Sequence, residues 1–195
     1  MRLDVKMNTA EDILGAIEIL KRGGVILYPT DTIWGLGCDI LSEEGVEKIY
    51  RIKRRDRSSP LILLVSSIEM LKEYVPVIHP RLENLLAFHE KPVTVIYDRV
   101  VQLPSYLKSK DGSIGIRITR EPYSQALIES LTRPITSTSA NISGHPFPKY
   151  FGEVQSDILQ QVDYISQCGR ESREEREPSV VMKIDVNGEL DFVRY

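Results

Sequence analysis

The chain has 195 residues, 42% hydrophobic and 27% charged, enough for one substantial core under a well-solvated surface. Its net charge of −3 gives no global argument for a nucleic-acid or membrane partner, so an anionic ligand must be met by a local patch. Cys38 and Cys168 lie far apart, and His79, His89 and His145 are scattered, so no zinc-type spacing occurs and buried free thiols are expected. The N-terminal stretch lacks the apolar run of a signal peptide. No segment approaches the roughly 18 apolar residues of a membrane span, and a soluble cytoplasmic protein is expected.

In chain order, Thr9 is placed to cap a helix with Ile13, Ile17 and Leu20 on one face, ended by Gly23. An apolar strand follows at Val25–Tyr28, leading into Pro29-Thr30-Asp31-Thr32 and the glycine-flexed Trp34-Gly35-Leu36-Gly37. Ser42 with Glu43 and Glu44 starts a second helix that turns Val46, Ile49 and Tyr50 inward. The continuous apolar run Pro60–Ser66 predicts a strand buried on both faces. Short helices are predicted at Ser67–Tyr74 and Pro80–Phe88, strands at Pro92–Asp98 and Gly112–Ile118. A helix over PYSQALIESL, a strand end over PITSTSA and a helix over GEVQSDILQQV come next. The run Arg170–Glu177 reads as a mixed-charge surface loop. Asn187-Gly188 between two strand-like runs predicts a C-terminal hairpin with a type I′ turn. The pattern is α/β around a mixed parallel/antiparallel sheet, one domain over residues 1–195 without repeat or linker.

Four polar segments at strand ends are candidates for chemistry. In Pro29-Thr30-Asp31-Thr32 the hydroxyls either bind a small polar ligand or satisfy turn backbone. Lys48, Arg51, Lys53, Arg54, Arg55 and Arg57 place six cations within ten residues, facing only Asp56. Such a cluster suits phosphate oxygens, and the C-terminal helix dipole explains part of it. Arg117 sits inside an apolar strand, where a buried cation needs a carboxylate or an anionic ligand. Thr136–Pro146, TSTSANISGHP, is a donor-rich loop suited to phosphate or ribose, with an ordinary capped turn as the alternative. There is no P-loop, no GxGxxG and no GxSxG elbow, so a nucleotide here would need an uncommon Lys/Arg and Ser/Asn cradle.

Taken together, YPTDTIWGLG, the KRR ending in Arg55, IGIRI and STSANISG resemble the YrdC/TsaC family over essentially the whole chain from Gly23. The resemblance implies a twisted open sandwich around a mixed sheet, with a large, positively lined cavity and the length of the short form. It implies an L-threonylcarbamoyladenylate synthase, a nucleotidyltransferase that makes threonylcarbamoyl-AMP and pyrophosphate from L-threonine, bicarbonate and ATP. The product serves threonylcarbamoyladenosine modification of tRNA through a separate transferase complex. The family's KxR…SxN tetrad falls on Lys53, Arg55, Ser139 and Asn141. By the same resemblance Lys53 and Arg55 are catalytic and neutralise the phosphates of ATP, with Mg2+ accompanying the nucleotide and no residue assigned as its ligand. Ser59, Ser139, Asn141 and Arg194 complete the ATP contacts, while Thr32, Arg117, Ser137 and Ser179 bind threonine. PTDT would floor the threonine pocket and WGLG would bend around it, with Asp31 either anchoring the loop or contacting substrate.

The chain departs from the usual family pattern at Trp34, at EKPVT, at Ser59, at Leu64 and over Ser179-Val180-Val181-Met182; relatives turn positions 59 and 64 toward the ligand. The alternative reading is a double-stranded RNA- or tRNA-binding module, associated with translation or ribosome maturation, using the basic patch around Lys53. Net acidity and the lack of interleaved aromatics weigh against it. Hydrogenase-maturation carbamoyltransferases share the YrdC-like domain but carry zinc-binding cysteines that this chain lacks.

Overall fold

The computed structural model describes residues 2–185 and 187–194, with side chains for residues 9–185 and 187–193. Helix α1 (Arg2–Lys21) begins upstream of the Thr9 cap predicted from sequence, because the residues before Thr9 are themselves good helix formers. Gly23 ends it as expected, in the left-handed region at φ +80°. Strands β1 (Ile26–Tyr28) and β2 (Gly35–Gly37) follow, then α2 (Glu43–Lys53), whose Ser42 cap accepts from the Gly45 N–H at 2.9 Å. Next come β3 (Ile62–Val65), α3 (Ile68–Tyr74), α4 (Pro80–Phe88), β4 (Val93–Tyr97), β5 (Ile114–Ile118), α5 (Pro122–Leu131) and β6 (Ile135–Ser139). The chain closes with α6 (Ser156–Leu159), β7 (Tyr164–Ile165), β8 (Val180–Ile184) and β9 (Leu190–Arg194).

The nine strands form one sheet in the order β7-β1-β2-β6-β3-β5-β4-β8-β9. Pairs β1/β7, β3/β5 and β4/β8 are parallel and the other five are antiparallel, the mixed α/β arrangement expected. Alternation along the strands sorts the core into two layers. Val25, Leu27, Leu63 and Val65 pack on one face against Val46, Ile49 and Ile52 of α2 and Leu71 of α3. Ile26, Tyr28, Leu64 and Ile135 pack on the other against Ile17 and Leu20 of α1 and Tyr123, Leu127 and Leu131 of α5. Residues of matching parity further along the strands, Ile62, Arg117 and Ser137, continue that second face where it lines an open cavity. Among the described residues, no helix is long and apolar enough to cross a membrane.

Three local expectations change. WGLG is not a bend: Gly35–Gly37 is a buried strand, antiparallel to both β1 and β6. Its glycines are needed for close approach, since a Cβ on Gly37 would lie 2.5 Å from the Thr136 carbonyl oxygen and 2.9 Å from the Tyr28 ring. The helix predicted over GEVQSDILQQV shrinks to the single turn of α6, because Gln155 is extended (φ −62°, ψ 140°) and resets the chain. The C-terminal hairpin forms between β8 and β9 with Gly188 at φ +81°, but the pairing of Ile184 with Leu190 and the 3.0 Å bond from the Asp185 N–H to the Glu189 carbonyl leave more than the two loop residues of a type I′ turn. Instead the Asp185 carboxylate accepts from the N–H groups of Asn187 (2.9 Å) and Glu189 (2.8 Å), which holds a wider loop.

A buried carboxylate ties the first helix to the last third of the chain. Asp12 accepts from Tyr164 Oη (2.6 Å), Ser166 Oγ (2.7 Å) and the N–H groups of Gln167 and Cys168 (both 2.9 Å). Burial alone would raise its pKa, but these four donors outweigh burial and hold it below the ordinary 3.8. Its stabilisation is therefore complete above 3.8 and is lost as pH falls through the lower folded value. Asp12→Asn should cost about 2 kcal/mol at neutral pH, since an amide cannot serve all four donors. Urea midpoints of wild type and variant, measured between neutrality and below pH 3.8, should converge on the acid side.

Candidate active site

Strand ends and loops from across the sheet converge on a cavity of about 1170 Å3. Asp31, Thr32 and Gly35 come from the β1–β2 region, Arg117, Arg120 and Glu121 from the β5–α5 connection, and Ser137, Thr138 and Ser139 from β6. Arg55 enters from the end of α2, Lys91 from before β4, and Glu174, Arg176, Glu177 and Ser179 from before β8. Among the described residues the wall thus carries five cations (Arg55, Lys91, Arg117, Arg120, Arg176) against four carboxylates, a small excess of the positive charge expected.

At one end, Thr30 organises the turn. Its hydroxyl donates to the Ile33 carbonyl (2.8 Å), so in its 2.9 Å contact with Thr32 it accepts and Thr32 donates. The Thr32 oxygen accepts in turn from Arg117 Nη1 at 3.0 Å, which aims the guanidinium. Arg117 is 4% exposed, and its partner is a protein carboxylate, Asp31, with Nη2 to Oδ1 at 3.3 Å. Asp31 Oδ2 also accepts, at 3.4 Å, from the Arg120 N–H, so Asp31 anchors the loop. Within the protein, Asp31 Oδ1 and Arg117 Nε both lack a hydrogen-bond partner although both are buried. Ser137 accepts from Tyr28 Oη (2.9 Å), which leaves its own proton for a ligand, and Ser179 Oγ lies 2.8 Å from Thr94 Oγ1. All four residues assigned by resemblance to threonine, Thr32, Arg117, Ser137 and Ser179, are brought together on this wall.

The other four-residue motif divides. Arg55 and Ser139 line the cavity, with Arg55 donating to Thr138 Oγ1 (3.1 Å) and the Pro60 carbonyl (3.3 Å). Lys53 does not reach it: at 1% exposure it lies beneath the β6 loop. Its ammonium donates to the carbonyl oxygens of Ser139 (2.5 Å) and Asn141 (2.8 Å), with the Asn141 Oδ1 a further 3.3 Å contact. Burial, and then the nearby Arg55 guanidinium, push Lys53 down to about 7. Asn141 is likewise a fastener, accepting from Ser139 Oγ (2.5 Å) and donating to the His145 carbonyl (2.6 Å). The reversal between Lys53 and Arg55 is made by Arg54, which sits in the left-handed region at φ 49°.

The basic run is divided among several partners. Lys48 pairs with Asp163, Arg54 with Asp157 and Arg57 with Glu47, and Arg55 alone of the six reaches the cavity. Ser59 is exposed on the turn after α2, away from the cavity wall, and its carbonyl accepts from Tyr50 Oη at 3.3 Å. Leu64 is fully buried against α1 and α5, facing no ligand. The Arg194 side chain lies outside the described residues. Sequence reasoning missed Arg176, placed in a surface loop: Nη1 donates to the Thr30 carbonyl at 2.6 Å, and Glu174 and Glu177 join it on the wall. The Arg-Glu-Pro-Ser string that carries Arg176 into Ser179 was its only signal.

A family model described as Telomere recombination, covering Sua5, YciO and YrdC, matches residues 18–195. The chain belongs to the Sua5/YciO/YrdC family. Within that family it is similar to the threonylcarbamoyl-AMP synthase of Xanthomonas campestris pv. campestris, at 32% identity over 155 residues, 78% of this chain and 83% of that protein. Escherichia coli YciO is 29% identical with a TM-score of 0.79, covering 93% of this chain and 87% of that one. Sua5 of P. abyssi, solved in complex with L-threonine, is 27% identical with a TM-score of 0.77 over 88% of this chain. This chain spans 50% of that longer Sua5 chain.

The packing of Lys53 separates two roles by experiment. Lys53→Ala should strand two loop carbonyls and cost about 3 kcal/mol, roughly 6–12 °C in Tm, together with weaker nucleotide binding. A lysine that met phosphate directly would instead cost activity with Tm unchanged.

Proposed function

We propose that this protein is a threonylcarbamoyl-AMP synthase, acting on L-threonine, bicarbonate and ATP. The observation that carries the reading is the buried Arg117–Asp31 ion pair of the cavity lining, with the Arg117 Nε N–H left without a hydrogen-bond partner. A buried charge pair with hydrogen-bonding capacity left over costs stability unless a ligand completes it. A small zwitterion does so: its carboxylate meets the Arg117 fork and its amine meets Asp31, while the hydroxyls of Ser137 and Ser179 surround its side chain. The names of the relatives point to the same amino acid, since the X. campestris protein is a threonylcarbamoyl-AMP synthase and the P. abyssi structure holds L-threonine.

In this mechanism the threonine amine attacks bicarbonate carbon and water leaves, giving a carbamate. A carbamate oxygen then attacks the α-phosphorus of ATP, the bond to the bridging oxygen breaks, and pyrophosphate departs. Two anions must be brought together, so the protein's work is positioning and charge stabilisation. Arg117 orients the amino acid, and Arg55 faces the phosphates beside the loop that Lys53 and Asn141 hold, in which the Ser139 hydroxyl donates to Asn141 Oδ1. Mg2+ would arrive with ATP, held chiefly by the phosphate oxygens and water. The product would pass to a transferase complex acting on tRNA. Pairing of Lys48, Arg54 and Arg57 with carboxylates lowers the net positive charge on which the RNA-binding alternative relies.

The test is pyrophosphate release from ATP, Mg2+ and bicarbonate, with L-threonine or L-serine or neither. Threonine-dependent release is expected. Arg117→Ala should raise KM for threonine roughly 10- to 150-fold, and Arg117→Lys should not rescue it, because lysine lacks the planar fork. Arg55→Ala should lower kcat by about 100-fold. Release that ignores threonine, or survives Arg55→Ala intact, would overturn the assignment.

A further inference from the structure

We propose that Phe147 is the platform on which the adenine of ATP stacks. The inference rests on the adenylate-forming reading above and assigns the base a position that reading leaves open. Phe147 lines the same cavity as Arg55, Thr138 and Ser139, yet the residue stays 38% exposed. Among the described residues it takes part in no ring–ring or cation–π contact, whereas Phe151, Tyr50 and Tyr150 do. An open aromatic face is thus held beside the groups that meet phosphate.

The ring is presented by a constrained segment. Asn141 Nδ2 donates to the carbonyls of Ile142 (3.2 Å) and His145 (2.6 Å), the His145 N–H returns to the Ile142 carbonyl (3.0 Å), and Gly144 turns the chain at φ +82°. Pro146 and Pro148 flank Phe147; the second is buried and biases Phe147 itself toward extended backbone. Lys53 and Asn141 therefore hold one loop, which stands beside Arg55 for phosphate and carries the ring of Phe147 for the base. Holding an aromatic with two side-chain torsions on a Pro-flanked segment leaves little entropy to lose on binding. Every nucleobase has a π-face, so the platform adds affinity without choosing among bases.

Calorimetric titration of the whole protein with AMP, GMP and inorganic pyrophosphate tests this. Phe147→Ala should weaken AMP and GMP alike by roughly 5- to 150-fold and leave pyrophosphate unchanged, while Phe147→Trp should restore AMP binding. Because the only native tryptophan, Trp34, is 6% exposed against Phe151, AMP should also quench the emission of the new indole in Phe147→Trp. Equal weakening of AMP and pyrophosphate would make the ring a loop prop and overturn the proposal. So would AMP binding that ignores Phe147→Ala, or wild type that binds no AMP. If Phe147→Ala loses AMP selectively while pyrophosphate release never depends on threonine, the stacking site stands and the synthase reading falls.

Discussion

Close contact between β2 and β6 is the constraint on which the site depends. Gly35 faces Ser139 and Leu36 faces Thr138 across an antiparallel ladder, and the Gly37 position touches the Thr136 carbonyl so closely that no side chain fits. On its other edge β6 pairs with β3 through Ser137, Thr136 and Ile135. One five-residue strand therefore splices the two parts of the sheet, and its hydroxyl residues are placed by ladder hydrogen bonds rather than by a free loop. Ser137 and Ser139, two residues apart, project to the same face, where Arg117 from β5 also lies. Rigid strands thus aim the polar groups.

Charge around the cavity follows a similar economy. Arg117 is held by Thr32 and Asp31, and Arg176 by Glu174 and the Thr30 carbonyl, so these cations are oriented before a ligand arrives. Glu121 on the same wall is raised by burial and capped by the Ser124 N–H at 2.7 Å. Preorientation of this kind lets a modest excess of positive charge serve two anions, because little reorganisation accompanies their approach.

Much of this was legible in the sequence, for local reasons. The strands at 62–65, 93–97 and 114–118 announce themselves by apolar runs, α2 by its cap and acidic first turn, and the polar clusters by standing at strand ends. The four residues that a family resemblance assigns to threonine, Thr32, Arg117, Ser137 and Ser179, all line one cavity. What stayed illegible depends on distant partners or single dihedral angles. Lys53 and Arg55 look equivalent on paper, yet the left-handed Arg54 between them sends one under the loop and the other into the cavity. Lys48 and Arg54 look available for phosphate until Asp163 and Asp157, 115 and 103 residues away, claim them. Two glycines that suggest a bend turn out to sit in a strand, because steric space and flexibility give the same residue.

The contact between Arg176 and the Thr30 carbonyl spans 146 residues, and Ser179 reaches its place only when β8 docks along β4. During synthesis the N-terminal three-quarters can leave the ribosome with α1, α2 and most of the strands, while the cavity still lacks a wall. That wall belongs to the last quarter of the chain to be made, so the binding surface is among the last features to mature. Occupancy by a ligand would then report on the integrity of the entire chain, and a truncated product would stay silent.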